Sequence, residues 1–93
     1  MAQSILQKER CCYFCGKLTD LECHHVFGGV ANRPISERYG LKIMCCNEHH
    51  VGKDGVQYNK EKNLKLKQDA QRAFEQEHSR ELWMKLIRKN YLG

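Results

Sequence analysis

Long hydrophobic runs are absent from this chain of 93 residues. No stretch is apolar enough to cross a lipid bilayer, and no basic segment followed by a long apolar one begins at Met1. We therefore expect neither a membrane-spanning helix nor a secretion signal. Internal repeats and low-complexity segments are also absent. These absences favour one compact domain located in the cytoplasm.

A chain this short can bury only a small hydrophobic core, and domains of this size commonly need a metal ion or disulfides as an additional constraint. Six cysteines are available for that purpose. Because cytoplasmic thiols are kept reduced, we interpret them as thiolate ligands rather than as disulfides.

The formal net charge is +5 and the sequence pI is about 9.0. Such a charge is compatible with a polyanionic partner, since neutralised phosphates release their counterions. It is equally compatible with a domain charged only for solubility. The same two alternatives hold for four lysines in the first turns of a predicted C-terminal helix, which either face solvent or face an anion: Lys60, Lys62, Lys65 and Lys67.

Two pairs of metal-ligand residues share the same two-residue spacing: Cys12 with Cys15, and Cys46 with His49. Three sulfurs and one imidazole nitrogen complete the tetrahedral set of a structural zinc site and leave no open position. Cys11 and Cys45 are neighbours that could replace a ligand, but only Cys12 and Cys46 give the two-residue spacing.

The predicted elements place these residues on a hairpin followed by helices. Residues 1–10 form a flexible segment that frays or lies over the surface, and residues 11–93 form one domain, with a metal-binding core over 11–58 and a helical part over 59–93. Segments 18–27 and 41–44 are extended, and the first ends in His24 and His25. Segment 30–40, with the only proline, reads as a loop with one helical turn at 36–39.

The C-terminal part has the pattern of two helices. Asn59 is a suitable N-cap for the first, and Ser79 for the second. Apolar residues of the first helix recur at three- and four-residue spacing and form one buried stripe: Leu66, Ala70, Ala73 and Phe74.

Three histidines remain when the zinc ligands are assigned. Consecutive strand residues face opposite sides of a sheet, so His24 and His25 have different roles. If zinc holds the end of the second strand close to the first, His50 approaches this pair. We expect a second, open metal site there, at which one histidine binds the metal and its neighbour accepts a proton.

Four stretches, in this order, resemble the HNH endonucleases, specifically the small zinc-containing proteins of phages and prophages: LECHHVFGG (21–29), YGL (39–41), CNEHH (46–50) and GV (55–56). The resemblance implies an α+β fold with a zinc-stabilised ββα-metal, treble-clef-like core and a C-terminal helical tail. It also implies hydrolysis of phosphodiester bonds, in DNA rather than RNA, with Mg²⁺ or Mn²⁺, in the cytoplasm of a bacterial host cell.

Carried over by residue, the resemblance makes His25 the general base that activates water, and His24 and His50 ligands of the catalytic cation. The asparagine that orients the base in the family is absent, since Gly40 or Leu41 occupies its region. The third protein ligand is Asp54, Gln57 or none.

Basic residues flank the predicted site and either hold phosphates or are ordinary solvated charges: Arg33, Arg38, Lys42 and Lys53. One small nuclease domain cuts one strand, so a homodimer would be a natural way to cut two. The alternative function is a non-catalytic zinc-stabilised module that binds DNA or a protein partner.

Overall fold

Two strands and four helices form within residues 4–50, 55 and 59–92, the part of the chain that the computed structural model describes, apart from the side chain of His49. In chain order they are β1 (Leu21–His25), α1 (Gly29–Tyr39), β2 (Lys42–Cys46), α2 (Asn47–His50), α3 (Lys60–Glu77) and α4 (Arg80–Leu86). The predicted α+β class is therefore confirmed. None of the helices in these ranges is long and apolar enough to cross a membrane.

The two strands pair antiparallel and carry both groups of predicted ligands. His24 lies opposite Ile43, and His25 lies opposite Lys42. Since directly paired residues of antiparallel strands share a face and successive residues alternate, the two histidines face opposite sides of the sheet. The opposite orientation predicted for this pair is confirmed.

The loop predicted over residues 30–40, with helix only at 36–39, is wrong. α1 runs without interruption from Gly29 to Tyr39 and contains Pro34. A proline inside a helix removes one backbone hydrogen bond, which is why the sequence favours a loop here. Contacts with the rest of the fold outweigh that cost.

One such contact is made by the buried side chain of Ser36. Its hydroxyl donates to the carbonyl of Phe27 at 2.8 Å and accepts from the N–H of the same residue at 3.1 Å. Gly40 then ends the helix in the left-handed region, with φ 72°, and donates its N–H to the Ser36 carbonyl. Glycine adopts this conformation without steric strain.

The N-terminal segment predicted to fray or lie over the surface contacts β2 and its approach. Ile5 donates its N–H to the carbonyl of Gly40 at 3.0 Å. The side-chain oxygen of Gln7 accepts from the N–H of Met44. Residues 4–7 therefore lie along the second strand.

The predicted helix caps are confirmed. The side-chain oxygen of Asn59 accepts from the N–H of Lys62 at 3.0 Å, and the hydroxyl of Ser79 accepts from the N–H of Leu82 at 3.1 Å. Each contact satisfies one of the backbone donors left open at a helix start.

The buried stripe of α3 differs from the predicted one at two positions. Ala73 is half-buried, whereas the polar side chain of Gln71 is fully buried. The main apolar residues of the core come from β2, its approach, α3 and α4: Leu41, Ile43, Leu66, Ala70, Phe74 and Trp83. This core supports one face of the hairpin.

Candidate functional site

Three of the four predicted zinc ligands come together. The sulfurs of Cys12, Cys15 and Cys46 lie within 4.8 Å of one another, and those of Cys15 and Cys46 are 3.7 Å apart. Cys12 and Cys15 belong to a tight turn closed by two backbone hydrogen bonds, from Gly16 to Cys12 and from Cys12 to Lys17. The three thiols can therefore bind a metal ion such as zinc.

The pKa values distinguish Cys12, a predicted zinc ligand, from Cys45, which is not part of the sulfur cluster. Burial raises the pKa of Cys12, but hydrogen bonds from backbone groups of Cys46, Cys15 and Phe14 outweigh it and lower the pKa to about 6. For Cys45, burial and then the charges of nearby thiols raise the pKa to about 12. Cys12 is thus predisposed to be a thiolate and Cys45 to remain a thiol.

Once one cysteine of the cluster is a thiolate, deprotonation of a second one is less favourable. A backbone hydrogen bond involving Lys17 lowers the pKa of Cys15, but burial and the sulfurs of Cys12 and Cys46 raise it above its ordinary value. Several anionic sulfurs at such short distances repel each other unless a cation lies among them. The donor set therefore fits a divalent metal.

The fourth predicted ligand is the side chain of His49, which lies outside the described residues. Its backbone is part of α2, the short helix that starts directly after Cys46. Lys53, Asp54 and Gln57 also lie outside the described residues, so their predicted roles in phosphate or metal binding stay predictions.

His24 and His50 meet on the opposite side of β1 from His25. Their ring centroids are 5.2 Å apart, with an interplanar angle of 66°. Two imidazoles that share one ion at metal–nitrogen distances of about 2.1 Å have ring centres roughly 5 Å apart. The observed spacing fits a common metal ion.

The hydrogen bonds of this pair also fit a metal site. The Nε2 atom of His24 is buried and has no hydrogen-bond partner, which is costly for a polar atom that binds nothing. Nδ1 of His50 lies 2.7 Å from a carboxylate oxygen of Glu22, the contact by which metal-binding histidines are commonly oriented. Burial, followed by the charges of His50, His25 and Lys67, lowers the pKa of His24 to about 4. His24 is therefore neutral near pH 7, as a ligand must be.

This histidine pair does not by itself form a complete set of ligands. Within residues 4–50, 55 and 59–92, three or more potential ligand atoms lie within 4.8 Å of one another in one place, which is the cluster of three sulfurs. A cation held by His24 and His50 would therefore take its other ligands from water, substrate or residues outside these ranges.

His25 contacts a carboxylate that the sequence did not single out. Its Nε2 atom lies 2.8 Å from one oxygen of Glu37, and Nζ of Lys42 donates to the other oxygen at 2.9 Å. The hydrogen bonds from His25 and then Lys42 hold the pKa of Glu37 below its ordinary value. Helical spacing would have placed Arg33 and Glu37 on one face of α1, but the loop interpretation of this segment hid that signal.

His25 also lines an open cavity of about 790 Å³ between β1 and α1. Arg33, predicted to hold phosphate, lines the same cavity. Arg38 instead places its guanidinium 5.6 Å from the ring centroid of Tyr39. Lys42 is buried against Glu37, so its charge is balanced within the protein.

No protein-family model, curated protein or solved structure matches this chain. Its function is therefore inferred from the geometry of its own residues.

Proposed function

We propose that this protein is a zinc-stabilised endonuclease of the HNH type that hydrolyses phosphodiester bonds in DNA with Mg²⁺ or Mn²⁺, and that it is encoded by a phage or prophage. The observation that carries the proposal is the buried, unpartnered Nε2 of His24 beside His50. A nitrogen in that position is explained when it binds a cation. The motif order described above supports the same class of enzyme.

The thiol cluster holds the structure on which this site depends. Zinc bound by Cys12, Cys15, Cys46 and His49 would tie the N-terminal turn to the end of β2. His50 follows directly in α2, so the same tie keeps its ring beside His24. The zinc site is therefore structural, and the histidine pair is a separate site.

His25 is the residue that accepts a proton from the attacking water. The Glu37 carboxylate stays ionised, since its pKa is lowered, and so accepts a hydrogen bond from Nε2–H of His25. Nδ1 is then the nitrogen that takes the proton. A cation bound by His24 and His50 would stabilise negative charge on the scissile phosphate and the leaving oxygen.

Glu37 supplies the orientation that the family's asparagine would give. Its two oxygens are fixed by His25 and Lys42, so the imidazole is held in one tautomer. His24 and His25 are consecutive residues at the end of β1, and a phosphodiester lying across this end of the strand could contact both.

The proposal is tested by incubating the purified, zinc-loaded protein with supercoiled plasmid, with and without added Mg²⁺ or Mn²⁺. We expect nicking that requires the added cation and is lost in His25→Ala. His78→Ala is the matched control, because it removes an exposed imidazole at the end of α3. Cleavage by His25→Ala at the wild-type rate would contradict the role of His25.

A second candidate is a non-catalytic zinc-stabilised module that binds DNA or a protein. It is favoured by the ligand clusters of the described residues, since the one group of three ligand atoms among them is the sulfur cluster and not the histidine pair. A folded, zinc-loaded protein that nicks no substrate in any of these cations would support this alternative.

A further inference from the structure

A short segment after α4 is fixed against α3 by buried polar groups. The indole N–H of Trp83 donates to the carbonyl of Lys89 at 2.8 Å. The side-chain oxygen of Gln71 accepts from the N–H of Tyr91 at 2.8 Å, and the side-chain amide of Gln68 donates to the carbonyl of Tyr91 at 3.1 Å. Trp83 and Gln71 are both fully buried, so the position of this segment is set by the core.

The turn that leads into the segment is strained. Arg88 has φ 68°, a left-handed conformation that is unfavourable for a residue with a side chain. The chain therefore accepts an unfavourable backbone conformation immediately before Lys89.

Two lysines, Lys67 of α3 and Lys89 of this segment, approach the ring of Tyr91. Nζ of Lys67 lies 5.6 Å from the ring centroid of Tyr91, and Nζ of Lys89 lies 5.2 Å from it. Nζ of Lys67 is also 5.8 Å from the ring of Phe27. In the described part of the chain, neither ammonium has a carboxylate within 4.0 Å.

The two ammonium groups repel each other, and a bound anion would relieve this repulsion. Burial and then the charge of Lys89 lower the pKa of Lys67. By contrast, Lys65 of the same helix forms an ion pair with Asp69 at 3.2 Å. What sets Lys67 and Lys89 apart is that they share one aromatic ring and have no carboxylate partner in the described part of the chain.

The lysine pair adjoins the histidine pair. Phe27, which Lys67 contacts, follows His25 by two residues. An anion bound by the lysines would therefore lie next to the site at which we place the cation.

We propose that Lys67 and Lys89, which share the ring of Tyr91, each bind a backbone phosphate of the nucleic acid next to the scissile phosphodiester. The identity of the anion rests on the proposed nuclease function. Phosphate is the anion that a nuclease substrate presents repeatedly along its length, and lysine binds it as a point charge.

The test measures binding of a short labelled DNA duplex by fluorescence anisotropy, without added Mg²⁺ or Mn²⁺, between about 50 and 200 mM salt. The site variant is Lys67→Gln with Lys89→Gln. Each lysine that neutralises a phosphate adds about 0.9 to the slope of log affinity against log salt. We expect the slope of the double variant to be shallower by roughly 2, and its affinity in low salt to be roughly ten-fold weaker.

The matched control is Lys65→Gln with Lys85→Gln, which removes the same charge from exposed positions of α3 and α4. Equal weakening by both double variants would overturn the site, because only diffuse charge would then matter. An unchanged slope in the site variant, or no binding by the wild type, would also overturn it. If the double variant melts early, Lys89→Gln alone, at an exposed position, should reduce the slope by about 1.

Failure of this site and failure of the nuclease proposal give different results. A protein that binds DNA with the expected salt dependence but cuts nothing keeps the phosphate site and loses the catalytic proposal. A protein that cleaves DNA but binds it equally well after the lysine substitutions keeps the catalytic proposal and loses the site.

Discussion

Glu37 holds His25 with one carboxylate oxygen and Lys42 with the other, at 2.8 and 2.9 Å. The hydrogen bond from His25, followed by that from Lys42, keeps its pKa below the ordinary value. A carboxylate that stays charged fixes the tautomer of the imidazole and stabilises the imidazolium formed when the other nitrogen takes a proton. In the proposed nuclease reaction, Glu37 would therefore act through His25.

Replacing Glu37 with Gln should lower kcat for plasmid nicking by roughly 10- to 100-fold, the usual range for a residue that orients a functional side chain. KM and zinc content should change little, and Glu37→Asp should recover part of the rate. Glu77→Gln, at an exposed position near the end of α3, is the control. A wild-type kcat in Glu37→Gln would show that His25 does not depend on this contact.

The lowered pKa of Glu37 also predicts the direction in which stability changes with pH. Its pKa is lower in the folded protein than its ordinary value of 4.5, so its contribution is present above that value and is lost as the pH falls through the folded-state pKa. The free energy of unfolding of Glu37→Gln should therefore fall below that of the wild type at about pH 6, and the difference should shrink toward about pH 3. Denaturant unfolding followed by circular dichroism measures the free energy of unfolding of the two proteins at each pH. A difference that grows on acidification would contradict the assignment.

Among the elements, α1 determines where Glu37 lies, and its end is set by Gly40. With φ 72° at this residue, a Cβ atom is unfavourable, so Gly40→Ala should lower the free energy of unfolding by about 1 kcal/mol. Gly28→Ala is the matched control, because Gly28 has φ −94° and an added Cβ would meet no atom within 4 Å. Equal stability of the two variants in denaturant would contradict the proposed helix end.

The elements also show what the sequence can and cannot predict. Alternation and spacing were sufficient for the two strands and for the caps Asn59 and Ser79, because each depends on local geometry. The approach of Cys46 to Cys12 and Cys15 is a tertiary contact, and the sequence predicts it only because metal ligands recur at the same two-residue spacing. α1 was missed because the proline signal is local, whereas the contacts of Ser36 are tertiary. Glu37 was missed with it, and Gln71 was missed because no local rule identifies a polar residue whose partners come from a later segment.

For the molecule as a whole, the core is small and includes cysteines that could bind a metal ion. Three of its buried apolar side chains in the described part of the chain are cysteines: Cys12, Cys45 and Cys46. Two of these belong to the sulfur cluster. Removing a bound metal would leave thiolates or thiols without their cation inside the core, so metal binding and folding should be coupled.

Replacing Cys15 with Ser should reduce zinc content and abolish the cooperative thermal transition, because the proposed structural zinc site would lose one ligand. Cys23→Ser is the matched control, since Cys23 is also exposed and lies outside the cluster. A strong chelator should reproduce the effect in the wild type, and added zinc should reverse it. Retention of both zinc and the melting transition by Cys15→Ser would mean that the fold does not depend on this cluster, and the closed structural site would have to be abandoned.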